Sequence, residues 1–361
     1  MKSTVFRYID PVTETKPICK NQVAQQTQAD PTNMFKRRRI FLWARELGWK
    51  LGRWNSHKLN AFLDDFHPEV VVFPIEQYPY FNRISQYVVN RCKPTKVIGF
   101  LWDDNFTYKQ HPRSCVFKFE RYLLRKQIRK LVGDCTTILS ISTKMKKECD
   151  AEFGINSVIL TKPIFNQVAF REFTVHKPIR ILYTGKLNIG REYTVIEVVK
   201  AIKHANSIEK RVFLDIYTAT ELEQSLRNQI EVQGCSEIHA PVPISEVALL
   251  QKNSDVLLFA ESLSEDDLTA RLSFSTKLTD YFAAGKCVWA VGNADLGPIS
   301  YVSEENAGFV STDIQSIYKV INTICETPSA IVSMAKNGHN CGVKNHCGEK
   351  IISKLKGIIY N

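Results

Sequence analysis

From Pro68 onward the chain alternates short apolar runs with stretches of helical periodicity, and this alternation limits the fold more than any other feature. "EVVVFP" reads as a strand, "YFNRISQYVVNRC" as a helix, "KVIGFLW" as a strand, "CVFKFERYLLRKQIRKLV" as a helix, "CTTILSIS" as a strand and "TKMKKECDAEFG" as a helix. Strands separated by helices of this length pair in parallel through crossover connections. The period is lost over residues 154–178, a proline-bearing stretch that predicts an interdomain linker. A second series starts at Ile179, with "IRILYTG", "RVFLDIYT", "SEIHAP", "DVLLFA" and "CVWAV" as strands and a helical pattern between each pair. The expectation is an α/β chain of two Rossmann-like, doubly wound parallel-sheet domains facing a cleft, where open α/β sheets bind their ligands. The boundaries read 1–170 for the N-terminal domain, 179–340 for the C-terminal domain and 341–361 for a helix that returns to the first domain. Residues 1–34 contain no glycine, and the first clear strand begins only at Glu69. A doubly wound domain normally opens on a strand and a glycine-rich turn, so the N-terminal domain is expected to be incomplete.

The longest apolar runs, residues 70–75 and 255–260, are far shorter than the roughly 20 residues of a membrane-spanning helix. The first residues carry no apolar core of a secretory signal, which predicts a cytoplasmic protein. Ten cysteines without a CxxC pair fit a reducing compartment. His339, Cys341, His346 and Cys347 in "HNCGVKNHC" match no common zinc spacing and read as a surface turn. The net charge of +11 calls for an anionic partner. Much of it lies in residues 118–131 and in residues 35–58, "FKRRRIFLWARELGWKLGRWNSHK", where cations alternate with aromatic residues. Two readings of 35–58 stand: a helix at the inner face of an anionic membrane, or a core-packed helix with a solvated basic face. No nucleic-acid-binding signature occurs, so nucleic acid is not an expected partner.

Two loops of the second series are suited to phosphate. "YTGKLNIGRE" (183–192) is a strand, a glycine turn and a helix start, with Lys186 and Arg191 beside the turn. It lacks the Lys-Ser/Thr of a Walker loop and does not fit GxGxxG, yet free amides and two cations can neutralise a diphosphate. "STKLTDYFAAGKCVWA" (275–290) is a short helix whose hydroxyls are candidates to cap it, with Gly285 closing it before a strand. Its N-terminal amides favour an anion, and Asp280 would face vicinal hydroxyls just beyond.

The stretch "FSTKLTDYFAAGKCVWAVGNADLGPISYVSEENAGFV" resembles the donor-site signature of retaining group 1 (family 4-like) glycosyltransferases of bacterial surface polysaccharide synthesis, which have the two-Rossmann GT-B fold. These read roughly S-K-L-x-E-Y-x-A-A-G-K-P-V-L-A, and later E-x-x-A-G. The likeness extends back through "YTGKLNIGRE" over about half of the chain, and "VIGFLWDDNF" resembles their acceptor-side segment. The resemblance implies transfer of a sugar, with retention, from a nucleotide-diphosphate donor to a hydroxyl of a growing glycan or lipid-linked acceptor. It gives Lys186 and Arg191 the catalytic role of neutralising the diphosphate, and implies no cofactor and no metal. Donor binding falls to Gly185, to Ser275, Thr276, Lys277 and Leu278, to Asp280 at the ribose, and to His239 and Ala240 around the base. Asp103 and Asp104 follow a strand toward the cleft and either contact acceptor or cap a helix; Asp266 and Asp267 read as a solvated loop.

Departures accompany the likeness. Leu272 stands where many relatives carry a first glutamate, the ribose acid is an aspartate, and the family's opening strand and glycine loop are not found. A decayed or truncated remnant that still binds nucleotide, transferring sugar poorly or not at all, and a nucleotide-sugar epimerase of the same fold therefore remain as alternatives.

Overall fold

The computed structural model describes residues 39–110, 114–165, 167–266 and 268–360, with side chains from residue 41 onward. The reading of residues 1–34, the start of the 35–58 segment and Asp267 lie outside the described residues. Packing separates a unit of residues 1–43 from one of 44–361, and both parallel sheets belong to the second. Helix α1 (Arg39–Leu51) runs across that boundary.

The first domain is built from α2 (His57–Phe66), β1 (Val70–Pro74), α3 (Pro79–Cys92), β2 (Lys96–Leu101), α4 (Cys115–Gly133), β3 (Thr137–Ser140), α5 (Thr143–Phe153) and β4 (Val158–Ile159). Serine starts three of its helices: Ser56, Ser114 and Ser142 accept the N–H of Leu59, Phe117 and Met145. Such caps satisfy amides that have no intrahelical partner. The four strands are parallel in the order β1-β2-β3-β4. β4 arises inside the expected linker; two residues are too few to display a strand period.

The second domain contains β5 (Ile179–Thr184), α6 (Arg191–Ala205), β6 (Val212–Tyr217), α7 (Gln224–Ile230), β7 (Ser236–His239), α8 (Ile244–Lys252), β8 (Val256–Ala260), α9 (Thr276–Ala284), β9 (Cys287–Val291), α10 (Gly297–Glu304), β10 (Phe309–Ser311) and α11 (Ile314–Glu326). Its six strands are parallel in the order β10-β9-β8-β5-β6-β7. β8 and β9 are buried at every position, because helices cover both faces of the sheet. The order reverses between β5 and β8. In an open α/β sheet the crevice beyond the carboxyl ends of two such strands is where a ligand fits.

Helices α12 (Ser329–Asn345) and α13 (Gly348–Tyr360) end the described chain. α13 meets the first domain, where Lys96 Nζ donates to the carbonyl of Ile359 at 3.0 Å and Lys354 Nζ to that of Ile159 at 3.0 Å. The expected surface turn at 339–347 is instead the end of α12, with Cys341 and His346 buried. His346 hydrogen-bonds Thr161 Oγ1 at 3.0 Å and Tyr301 O–H at 2.9 Å, and both polar partners sit where a sequence pattern cannot show them.

Candidate functional site at the sheet reversal

The site begins where β5 ends. Gly185 has φ of +150°, and a Cβ on it would lie 2.1 Å from Lys277 Nζ. Only glycine leaves that room, so the ammonium of Lys277, from the first turn of α9, rests against the β5 turn. The same ammonium lies 5.5 Å from the centre of the Tyr183 ring. Burial pushes its pKa below the ordinary lysine value, and the neighbouring Arg191 charge adds to this against the pull of Glu261. A half-buried cation with a second cation beside it favours an arriving anion.

Gly190, with φ of +78°, precedes α6. A Cβ there would fall 2.5 Å from Ser262 Oγ, so glycine also lets the β8 loop approach. Arg191 then grips that loop: its Nε and Nη2 donate to the two carboxylate oxygens of Glu261 at 2.9 and 3.0 Å. Thr194 Oγ1 donates to the Glu261 carbonyl at 2.7 Å. The guanidinium expected to face diphosphate is thus paired with a buried carboxylate across the reversal. Lys186 is exposed, and its ammonium has no hydrogen-bond or ion-pair partner among the described residues. Its carbonyl accepts the Tyr183 hydroxyl at 2.8 Å.

On α9, Ser275 holds the N-cap position, but its hydroxyl makes no capping bond, contrary to the expectation from sequence. That leaves the helix end open to an outside acceptor. Thr276 is exposed, and Leu278 is fully buried in the core beneath. Asp280 is exposed and pairs with Lys162 at 2.5 Å. At the far side of the sheet His239 lies on Tyr217 with ring centres 4.6 Å apart. Its Nε2 is 2.9 Å from Asp215 Oδ1, while its Nδ1 is 4.0 Å from Glu237. One ligand atom from each of Asp215, Glu237 and His239 lies within 4.8 Å of the others, an arrangement that exposed acidic groups also adopt without an ion. The His239 carbonyl already accepts the Thr218 amide at 3.3 Å, and Ala240 is exposed.

Asp103 and Asp104, expected either to contact acceptor or to cap a helix, both make side-chain hydrogen bonds within the protein. Asp104 is buried and accepts from the Thr107 amide at 3.0 Å and from Arg271 at 3.3 Å; Asp103 accepts from Ser273 Oγ at 2.8 Å. Both are drawn to the loop that joins β8 to α9. Leu272 of that loop, where a glutamate was sought, is completely buried in the core of the first domain. Glu76, just past β1, escaped the sequence reading; burial pushes its carboxyl above the ordinary range, with Asp103 adding to the effect against a bond from Gln77. Glu261 escaped too, although its place directly after β8, opposite the β5 turn, is the signal that finds it.

No protein-family model matches the sequence, and no curated protein matches it. Solved structures do match its fold. HepE from Anabaena, in complex with UDP and glucose, superposes with a TM-score of 0.60 at 11% identity, over 84% of this chain and 81% of HepE. TarM gives 0.61 at 9% identity, over 84% of this chain and 57% of TarM. WaaG, a glycosyltransferase involved in lipopolysaccharide biosynthesis, gives 0.56 at 13% identity, over 78% of this chain and 82% of WaaG. The chain has the two-Rossmann GT-B fold.

Proposed function

We propose that this chain is a glycosyltransferase that moves a sugar, with retention, from a nucleotide-diphosphate donor to a hydroxyl of a growing glycan or lipid-linked acceptor in bacterial surface polysaccharide synthesis. The observation that carries the reading is the seating of Lys277 against Gly185, at the sheet reversal of a GT-B fold. HepE, of the same fold, is found with UDP and with UDP-glucose. Departure of a nucleoside diphosphate develops negative charge, and preorganised cations and amides aimed at it are the largest source of rate. Lys277, Lys186, whose ammonium has no partner among the described residues, and the uncapped first turn of α9 supply that charge, while Arg191, its charge offset by Glu261, holds the β5 turn against the β8 loop. Side chains do the neutralising in this reading, and no metal ion or cofactor is called on. Asp280 takes the ribose hydroxyls, exchanging its exposed Lys162 partner for them.

The proposed place of work is the cytoplasmic face of a membrane. Among the described residues no helix is long and apolar enough to cross a bilayer. Helix α1 exposes Leu47, Lys50 and Leu51, while Trp49 stacks on Tyr80 at 4.9 Å, so it combines a packed side with a free apolar and basic one.

Calorimetry with UDP and GDP, followed by product analysis with UDP-sugars and saccharide acceptors, tests the proposal. Binding of a nucleoside diphosphate and release of UDP coupled to a new α-linked product are expected. Interconversion of the donor sugar without transfer points to an epimerase, and absence of nucleotide binding overturns the reading.

A further inference from the structure

The loop between β8 and α9 does not stay with its own domain. Arg271 is only 3% exposed and is held between acids of the first domain. Its Nη1 donates to Glu148, and its Nη2 donates to Glu148 Oε2 at 2.6 Å, to Asp104 Oδ2 at 3.3 Å and to Thr107 Oγ1 at 3.3 Å. Although burial opposes ionisation of Glu148, the hydrogen bond and charge of Arg271 hold its carboxyl below the ordinary range. Leu272 follows into the apolar core that Phe73, Leu101, Phe106 and Met145 share, and its carbonyl accepts from Ser142 Oγ at 3.4 Å. Ser273 adds the bond to Asp103. Behind this wedge α10 begins at Gly297, where a Cβ would lie 2.7 Å from the Ser273 carbonyl and 3.0 Å from that of Arg271. The wedge is thus gripped from the first domain in front and by backbone contact from the second behind.

Two residues further on, Ser275 is the N-cap of α9, and Lys277 is the ammonium against Gly185. Each residue spans at most about 3.3–3.6 Å of chain, so little slack separates the gripped residues from the anion-facing turn. We infer that Arg271, Leu272 and Ser273 form a positioning wedge through which the first domain sets the start of α9, and with it Lys277. Arg271 acts through the turn and touches no substrate. The consequence for donor affinity rests on the glycosyltransferase reading; the consequence for the turn itself does not. The resemblance pointed to a carboxylate at position 272, whereas this chain uses the same loop to join its two domains.

The test is Glu148→Gln, which retains size and removes the charge that Arg271 pairs with, read by hydrogen exchange at the amides of residues 278–281, where the hydrogen bonds of α9 begin, and by UDP titration. Exchange at these amides is expected to rise by about five- to tenfold, the lower range of measured coupling between sites, with the amides of β8 and β9 unchanged. UDP affinity should fall by a similar factor, and Arg271→Lys, which retains the charge but loses the forked donors, should also loosen both. If Glu148→Gln does not fold, Ser273→Ala, which removes only the Asp103 contact, provides the same comparison. A folded variant whose 278–281 amides exchange as in the unaltered protein overturns the wedge. Loosened amides in a protein that never bound UDP would sink the donor reading and leave the wedge standing, and tight UDP binding with unaltered exchange would do the reverse.

Discussion

The carboxyl edges of the two sheets carry opposite chemistry. Beyond β1 and β2 of the first domain stand Glu76, Asp103 and Asp104; beyond β5 of the second stand Lys186 and Arg191, joined by Lys277 from α9. Coverage differs as well. β8 and β9 are wholly buried, whereas β1 pairs only with β2 among the described residues and leaves Val72 57% exposed. In the first domain acids hold Arg271 and so join the domains, while in the second Arg191 binds Glu261, Lys277 rests against Gly185 and Lys186 is exposed. Like edges of like sheets thus differ: one joins the domains through acids, and the other is the one proposed to receive an anion, with charge rather than topology making the difference.

The sharpest way to break this comparison lies within the cation set. Arg191 and Lys186 flank one turn, yet Arg191 is bound to a buried glutamate and Lys186 is exposed. Removing one member of a buried ion pair costs about 3–5 kcal/mol, because the other charge is left in a poor environment. Arg191→Ala is expected to lose stability of that order in urea unfolding, while Lys186→Ala melts like the unaltered protein. Equal stability of the two variants would mean that Arg191 is a free ligand cation and that the Glu261 pair contributes nothing.

The interdomain seam has a second, uncharged contact at His346, and acid should separate it from the Arg271 contact. His346 is fully buried, and burial pushes its pKa from the ordinary 6.5 down to about 4. Because the folded state resists protonation, the unfolded chain binds more protons between these values, and stability must fall as pH falls. The contribution is fully present above pH 6.5 and is lost progressively down to about pH 4. A shift of this size corresponds to roughly 3 kcal/mol. Unfolding measured at pH 7 and pH 4.5 should show a loss that His346→Gln reduces; an identical pH slope in the variant would remove His346 from the account.

Lys277 comes next. Charge-assisted hydrogen bonds are worth roughly 1.5–3 kcal/mol, which is about ten- to 150-fold in affinity. Lys277→Met should weaken UDP binding by that factor and leave uridine binding nearly unchanged. Its melting temperature should hold or rise, since a partly desolvated charge is removed. A similar loss for uridine and UDP would place Lys277 away from the phosphates.

The parts of this site that were legible in sequence are those encoded locally. The glycine turn after β5, the Lys277 helix and the continuous apolar β8 and β9 each fit within about one window of periodicity. What was not legible depends on distance along the chain. Arg191 and Glu261 meet across 70 positions, and Arg271 reaches Glu148 across 123. Nothing in the residues around Arg271 points to its partners, because Glu148, Asp104 and Thr107 belong to another domain. The same applies to His346, whose hydrogen-bond partners Thr161 and Tyr301 lie far from it in sequence.

The smallest expected effect concerns Asp280, which lies between the two behaviours: an acid on the cation-bearing domain, paired with Lys162 from the segment that leads out of the first domain. The pair is exposed on both sides, and exposed ion pairs contribute about 0–1 kcal/mol. Asp280→Asn should therefore leave the melting temperature within a degree or two of the original, given that about 1 kcal/mol shifts it by ~2–4 °C in a chain of this size. If the carboxylate takes the ribose hydroxyls when nucleotide arrives, the same variant loses one charge-assisted contact, about tenfold in UDP affinity. Lys162→Ala separates the two roles. Freed from its partner, Asp280 would accept the ribose more readily, so UDP should bind the Lys162 variant as well as before or slightly better. If Lys162→Ala and Asp280→Asn weaken UDP equally, the pair acts as one unit that orders the cleft, and Asp280 belongs with the joining acids of the first domain.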